Sequence, residues 1–249
     1  MKKLTILIAL VLCLGNAGVA GEPIRYEVAG EAFEGYMEKA DEGAPMVLLL
    51  HDWDGLTEYE MTRAGMLAEM GYSVFCADLF GAGVRPTKLE DKQKCIGELG
   101  ADRPRMRALM QGALDVARAK GLNVGNCVVM GYCFGGTAVL EFARSGVDLK
   151  GWVTFHGGLA LPDGQDYAKT KGEILVLHGS ADSYVTIEPF AKLVEDLEKA
   201  GVPNEMITYG GAPHGWTVFE SGAYRKDADR KSWERFSGFL EDILQQKGE

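Results

Sequence analysis

The sequence predicts an α/β fold in which a mainly parallel sheet is covered by helices on both faces. Short, continuously apolar runs such as Met46 to Leu50 read as strands buried on both sides. Stretches of helical periodicity alternate with them, and right-handed crossovers between parallel strands put such helices on the sheet faces. The rhythm runs on without a repeat, a low-complexity tract or a Pro/Gly/Ser linker, so a single domain over residues 21–249 is expected.

Taken in order, Ile24 to Val28 and Phe33 to Met37 alternate apolar and polar residues around Gly30-Glu31, which suggests an opening hairpin. Met46 to Leu50 is the first core strand, and Tyr59 to Met70 is a helix ended by Gly71. Strand Tyr72 to Leu79 follows. The polar segment Gly81 to Gly100 lacks a clear period and is expected to cover the site as a partly helical flap. Helix Pro104 to Lys120 stops at Gly121 and leads to strand Cys127 to Met130 and helix Phe134 to Arg144. Strands Trp152 to Phe155 and Ile174 to Leu177, helix Ile187 to Ala200, strand Glu205 to Tyr209 and helix Arg230 to Gln246 complete the series.

The 249 residues, 47% hydrophobic and 25% charged, have the composition of an ordinary globular chain. Met1-Lys2-Lys3, the apolar run Leu4 to Leu14 and the small residues ending at Gly18-Val19-Ala20 have the order of a secretory signal. Cleavage after Ala20 and a periplasmic or secreted protein are expected. The apolar run is too short for a membrane span, and Leu12 before Cys13 is too bulky for a lipoprotein signal. Losing two lysines and no acids takes the formal charge from −10 to −12. Such a surface repels nucleic acid and anionic lipid, so neither is expected as a partner. The remaining cysteines, Cys76, Cys95, Cys127 and Cys133, form no C-x-x-C pair. Cys76 and Cys127 read as buried small hydrophobes, and a Cys76–Cys95 disulfide stays open.

In an open parallel sheet, sites form at the carboxyl ends of strands. Those ends hold His51-Asp52-Trp53-Asp54, Gly131-Tyr-Cys133-Phe-Gly135, His178-Gly-Ser-Ala-Asp182 and Pro213-His214-Gly215-Trp216. The second has the form of a nucleophile elbow, a sharp strand-to-helix turn whose glycines relieve crowding around the central residue. A thiolate at Cys133 would sit at a helix N-terminus, where dipole and free N–H groups lower its pKa. The Phe134 N–H is the first expected oxyanion donor, and the Trp53 N–H the second. By itself Gly-x-Cys-x-Gly fits a buried structural thiol equally well. Chain order adds to it: hydrolases with this elbow run nucleophile, acid, histidine, and His214 alone among the four histidines follows Asp182. His214 is therefore the expected base and Asp182 its orienting acid. No metal site is expected at His51-Asp52-Trp53-Asp54, since adjacent residues rarely converge on one ion without distant ligands. His156 and His178 are expected in turn and packing roles.

On these motifs, with Asp78-Leu79-Phe80 and Phe155-His156-Gly157-Gly158, the chain resembles the dienelactone hydrolase family of the α/β-hydrolase fold over nearly its whole length past residue 20. The resemblance implies hydrolysis of a small-molecule lactone or ester through a thioester, without metal or organic cofactor. It also implies a carboxylate that holds the resting thiol. That position matches Asp52, shorter than the family's usual glutamate. The family's founding activity grips a substrate carboxylate with two arginines, and here those places hold Gly81-Ala82 and Val218, with Arg85 close in sequence. Val218, Trp216 and Trp53 then suggest an apolar pocket for a neutral substrate, though both tryptophans also suit loop packing. A non-catalytic binding protein on the same fold and a thiol redox protein are the alternative functions, the second disfavoured by the lack of a cysteine near Cys133 in sequence.

Overall fold

The computed structural model describes residues 21–245, so the leader expected at residues 1–20 and the end of the last helix at Gln246 lie outside the described residues. In chain order the elements are β1 (Glu22–Val28), β2 (Glu31–Glu38), β3 (Pro45–Leu50), α1 (Glu58–Glu69), β4 (Ser73–Ala77), α2 (Leu89–Ala101) and α3 (Arg103–Ala119). There follow β5 (Asn123–Tyr132), α4 (Phe134–Arg144), β6 (Gly151–Phe155), β7 (Glu173–Gly179), α5 (Ile187–Ala200), β8 (Asn204–Tyr209) and α6 (Lys226–Leu244).

The continuous apolar runs are continuous because both faces of the sheet are covered. In β3, Met46, Leu48 and Leu50 join one core with α3, α4 and α5, while Val47 and Leu49 point the other way into a core with α1 and α6. Successive side chains of a strand alternate faces, so a strand buried on both sides has no polar position to spare. The sheet order is β1-β2-β4-β3-β5-β6-β7-β8, parallel from β4 to β8. The hairpin β1–β2 is antiparallel and joins β4 antiparallel. Its turn residues are Ala29 and Gly30, both at positive φ (52° and 82°), one position earlier than the pattern suggested.

Beyond the sheet edge, the segment from Gly81 is coil until α2. Leu99 is the one buried residue of that 13-residue helix, which is why no apolar period marks it. It is held instead by polar contacts: Lys92 Nζ lies 3.3 Å from Asp54 and 5.0 Å from the Trp53 ring centroid. Cys76 and Cys95 are free. Cys76 is buried in the core beneath α1 and α6, whereas α2 packs through Leu99 into the opposite core, so the suggested disulfide would have to cross the sheet.

Candidate active site

The site is assembled where β3, β5, β7 and β8 end. At the end of β5, Cys133 adopts φ 49° and ψ −111°, a conformation that a residue with a β-carbon takes only under constraint. The constraint is close packing. A methyl group at Gly135 would stand 2.2 Å from the Leu50 carbonyl oxygen, and one at Gly131 would stand 2.4 Å from the Gly135 carbonyl carbon. Only glycine fits either place, which is the physical content of the elbow motif.

Asp182 and His214 arrive from loops after β7 and β8. His214 Nε2 is 3.1 Å from Cys133 Sγ, and His214 Nδ1 is 2.8 Å from Asp182 Oδ2. The backbone N–H groups of Tyr184 and Val185 donate to the other oxygen of Asp182, at 2.9 Å each. Burial alone would raise the Asp182 carboxyl, but the bonds from His214, Val185 and Tyr184 hold it below the usual carboxylate range. The three residues foreseen from chain order thus meet in one hydrogen-bonded line.

The thiol differs from its expectation. Burial pushes Cys133 well above an ordinary thiol, and the charge and hydrogen bonding of Asp52 push it further; the Phe134 N–H acts the other way but is outweighed. The net direction is upward, opposite to the lowering expected at a helix N-terminus. Asp52 itself is buried, which with the nearby Asp54 charge raises its carboxyl to about 6 against bonds from Trp53 and Cys133 that lower it. Its Oδ1 accepts the Trp53 N–H, so that expected oxyanion donor is already engaged. Behind it, the fully buried Glu60 accepts the Asp52 N–H at 3.2 Å and caps α1 through Thr57. Burial raises Glu60 to about 7.

Two residues suggested for the substrate pocket make their contacts within the fold instead. Trp216 is fully buried, its ring edge-on to His156 with centroids 5.0 Å apart. Arg85 donates to the carbonyls of Leu56, Val84 and Glu34 and lies 3.6 Å from Asp78, so its guanidinium fastens the flap to the sheet. Val218 and Trp53 are half-buried. His51 donates from Nδ1 to the Asp52 carbonyl at 2.6 Å and accepts the Leu79 N–H at Nε2, which commits both ring nitrogens within the chain. A cleft of about 550 Å³ between the loop after β6 and α5 contains none of Cys133, Asp182 and His214.

Sequence reasoning missed two neighbours of Cys133, Asp182 and His214. Tyr184, 82% exposed, sets its ring edge-on to His214 at 5.4 Å; an aromatic residue two places beyond Asp182 in a polar turn was the available signal. His156 is fully buried with φ 42°, its Nδ1 facing the Cys133 N–H at 3.1 Å and its Nε2 facing Thr217 Oγ1 at 2.8 Å. It is more than a packing residue.

A family model described as the dienelactone hydrolase family matches residues 33–244. The protein named "Putative carboxymethylenebutenolidase" of Salmonella typhimurium is 22% identical over 84% of this chain and 82% of its own length. Among solved structures, the dienelactone hydrolase-like promiscuous phosphotriesterase P91 from metagenomic libraries superposes with a TM-score of 0.85 at 26% identity, covering 90% of this chain and 98% of that one. A structure called m3DLH superposes at 0.83 with 30% identity over the same shares.

Proposed function

This chain belongs to the dienelactone hydrolase family and is an α/β-fold lactone or ester hydrolase, and from that premise we propose that Cys133, His214 and Asp182 are its catalytic triad. The observation that carries the reading is His214, bonded to the thiol through one ring nitrogen and to Asp182 through the other.

In the proposed mechanism the Cys133 thiol gives its proton to His214 Nε2, and the sulfur attacks the acyl carbonyl. The resulting oxyanion is held by the N–H groups of Phe134 and, once Asp52 has let go of it, Trp53. Collapse breaks the acyl–oxygen bond, and His214 returns the proton to the leaving oxygen. A thioester remains on Cys133; with a lactone the freed hydroxyl stays on the acyl chain. Water then gives a proton to His214 and attacks the thioester. Collapse releases the carboxylic acid product and restores the thiol. Asp182 keeps His214 in the tautomer with Nδ1–H and offsets the charge it acquires. At rest Asp52 holds the thiol protonated, which protects a nucleophile that has no work to do until substrate arrives.

The substrate we assign is neutral. Arg85 is committed to backbone carbonyls, and a buried carboxylate without a bidentate guanidinium partner loses hydration at a cost of several kcal/mol. We further propose that the protein acts after export, in the periplasm or outside the cell, with Gly21 as its first residue. Mass spectrometry of protein from the native host tests that. The triad is tested with 4-nitrophenyl acetate: Cys133→Ala should abolish turnover and His214→Ala remove most of it, with an acetyl adduct on Cys133 in intact mass spectra of wild type. Retained turnover in Cys133→Ala would overturn the reading.

A further inference from the structure

Behind the nucleophile lies a set of buried polar groups that no step above uses. The Cys133 N–H is shared between the Phe155 carbonyl at 3.0 Å and His156 Nδ1 at 3.1 Å. Because Nδ1 accepts, the ring carries its proton on Nε2 and donates it to Thr217 Oγ1, 2.8 Å away. Burial, reinforced by the His214 imidazole, keeps His156 neutral, the state this pairing needs. Thr217 Oγ1 also accepts from the Tyr59 hydroxyl at 2.8 Å, and its carbonyl accepts from Arg63 at 2.9 Å. Arg63 is in turn paired with Asp229 of α6 and enclosed by the rings of Tyr59, Phe219 and Trp233. Thr217 stands three residues beyond His214 in the same loop.

One imidazole therefore joins the backbone of the nucleophile to the loop that carries its base. It does so from a strained place, because φ 42° at a residue with a β-carbon persists only where surrounding bonds hold it. Its ring also packs edge-on against His214, with centroids 5.1 Å apart. We propose that His156 and Thr217 are positioning residues that set the separation between Cys133 Sγ and His214 Nε2. The proposal rests on the triad reading. A supporting shell of this kind keeps reacting groups in register, and a misplacement of about 1 Å can cost roughly a hundredfold in rate.

The bonds can be removed separately. Thr217→Val keeps the shape and deletes the hydroxyl, and Thr217→Ser restores it. His156→Asn suits positive φ and retains an acceptor near the Nδ1 place, but cannot reach Thr217. Each is measured for kcat and KM with 4-nitrophenyl acetate, for Tm, and for the rate at which iodoacetamide alkylates Cys133. Thr217→Val and His156→Asn should lower kcat about ten- to a hundredfold and slow alkylation, with KM within about twofold, and Thr217→Ser should recover kcat to within about threefold. Wild-type kcat in Thr217→Val, or equal losses in the Val and Ser variants, would overturn the proposal. A Cys133→Ala control separates the two failures: if it keeps turnover the triad itself is wrong, and if it is inactive while Thr217→Val is not, only the positioning role is.

Discussion

Asp52 Oδ1 accepts the Trp53 N–H, so the carboxylate facing the thiol also occupies a donor proposed for the substrate oxyanion. Asp52 raises the thiol by its charge and its hydrogen bonding, after burial. Asp52→Asn removes the charge and should speed alkylation of Cys133 by iodoacetamide at pH 7 by at least about threefold, since each pKa unit is worth about tenfold in thiolate. An unchanged or slower rate would show that Asp52 does not hold the resting thiol protonated.

Glu60 gives a pH prediction for stability. Burial raises its carboxyl from 4.5 to about 7, so between these values the folded chain binds more protons than the unfolded one. Stability from this group is fully present below pH 4.5 and is lost as pH rises through about 7. The buried histidines His51, His156 and His178, all lowered by burial, act in the opposite sense, so the wild-type profile alone does not isolate Glu60. Glu60→Gln does: its stability relative to wild type should improve from pH 5 to pH 8 by on the order of 1–3 kcal/mol. Urea denaturation of both proteins at the two pH values measures the difference, and parallel profiles would contradict it.

At Gly135 the constraint is steric rather than electrostatic. A methyl group 2.2 Å from the Leu50 carbonyl oxygen cannot be accommodated without moving β3 or α4. Gly135→Ala should lose more than about 3 kcal/mol of stability or fail to accumulate as soluble protein, since overpacking of a tight core typically costs about 1–3 kcal/mol and here backbone itself must shift. A wild-type Tm in this variant would mean that the elbow is looser than its packing implies.

Arg85 separates anchoring from recognition. Its Nε, Nη1 and Nη2 each donate to a backbone carbonyl, of Leu56, Val84 and Glu34 respectively, so Arg85→Ala should lower Tm while leaving the ratio of kcat/KM between a neutral ester and its carboxylated analogue within about twofold of wild type. A wild-type preference for the carboxylated ester that disappears in Arg85→Ala would make Arg85 a substrate anchor after all.

What could be read from the sequence followed physical locality. The core strands β3 to β7 were legible because burial on both faces leaves little polar interruption, the hairpin β1–β2 because one face alternates with the other, and α4 and α5 match their expected spans end to end. The proposed triad was legible because each member sits within a short motif beside a strand end and their order matches that of hydrolases with this elbow. α2 was not, since with Leu99 alone buried it carries no apolar stripe. The burial of Trp216 and the tether on Arg85 were hidden because the direction of a long side chain is decided by its neighbours in space. The His156–Thr217 bond joins residues 61 apart in the chain, and nothing local to either announces the other.

The line from Cys133 at the end of β5, through Thr217 after β8, to Asp229 on α6 also has a temporal meaning. During synthesis the turn bearing Cys133 emerges first, His214 some 80 residues later, and the carboxylate of Asp229 that pairs with the buried Arg63 later still. Contacts of such long sequence separation form late, because loop closure must be completed before they contribute. On the proposed triad, catalytic competence follows these late contacts: a C-terminally truncated chain carries the Cys133 thiol without its proposed base, and hydrolysis reports completion of the fold rather than of any part.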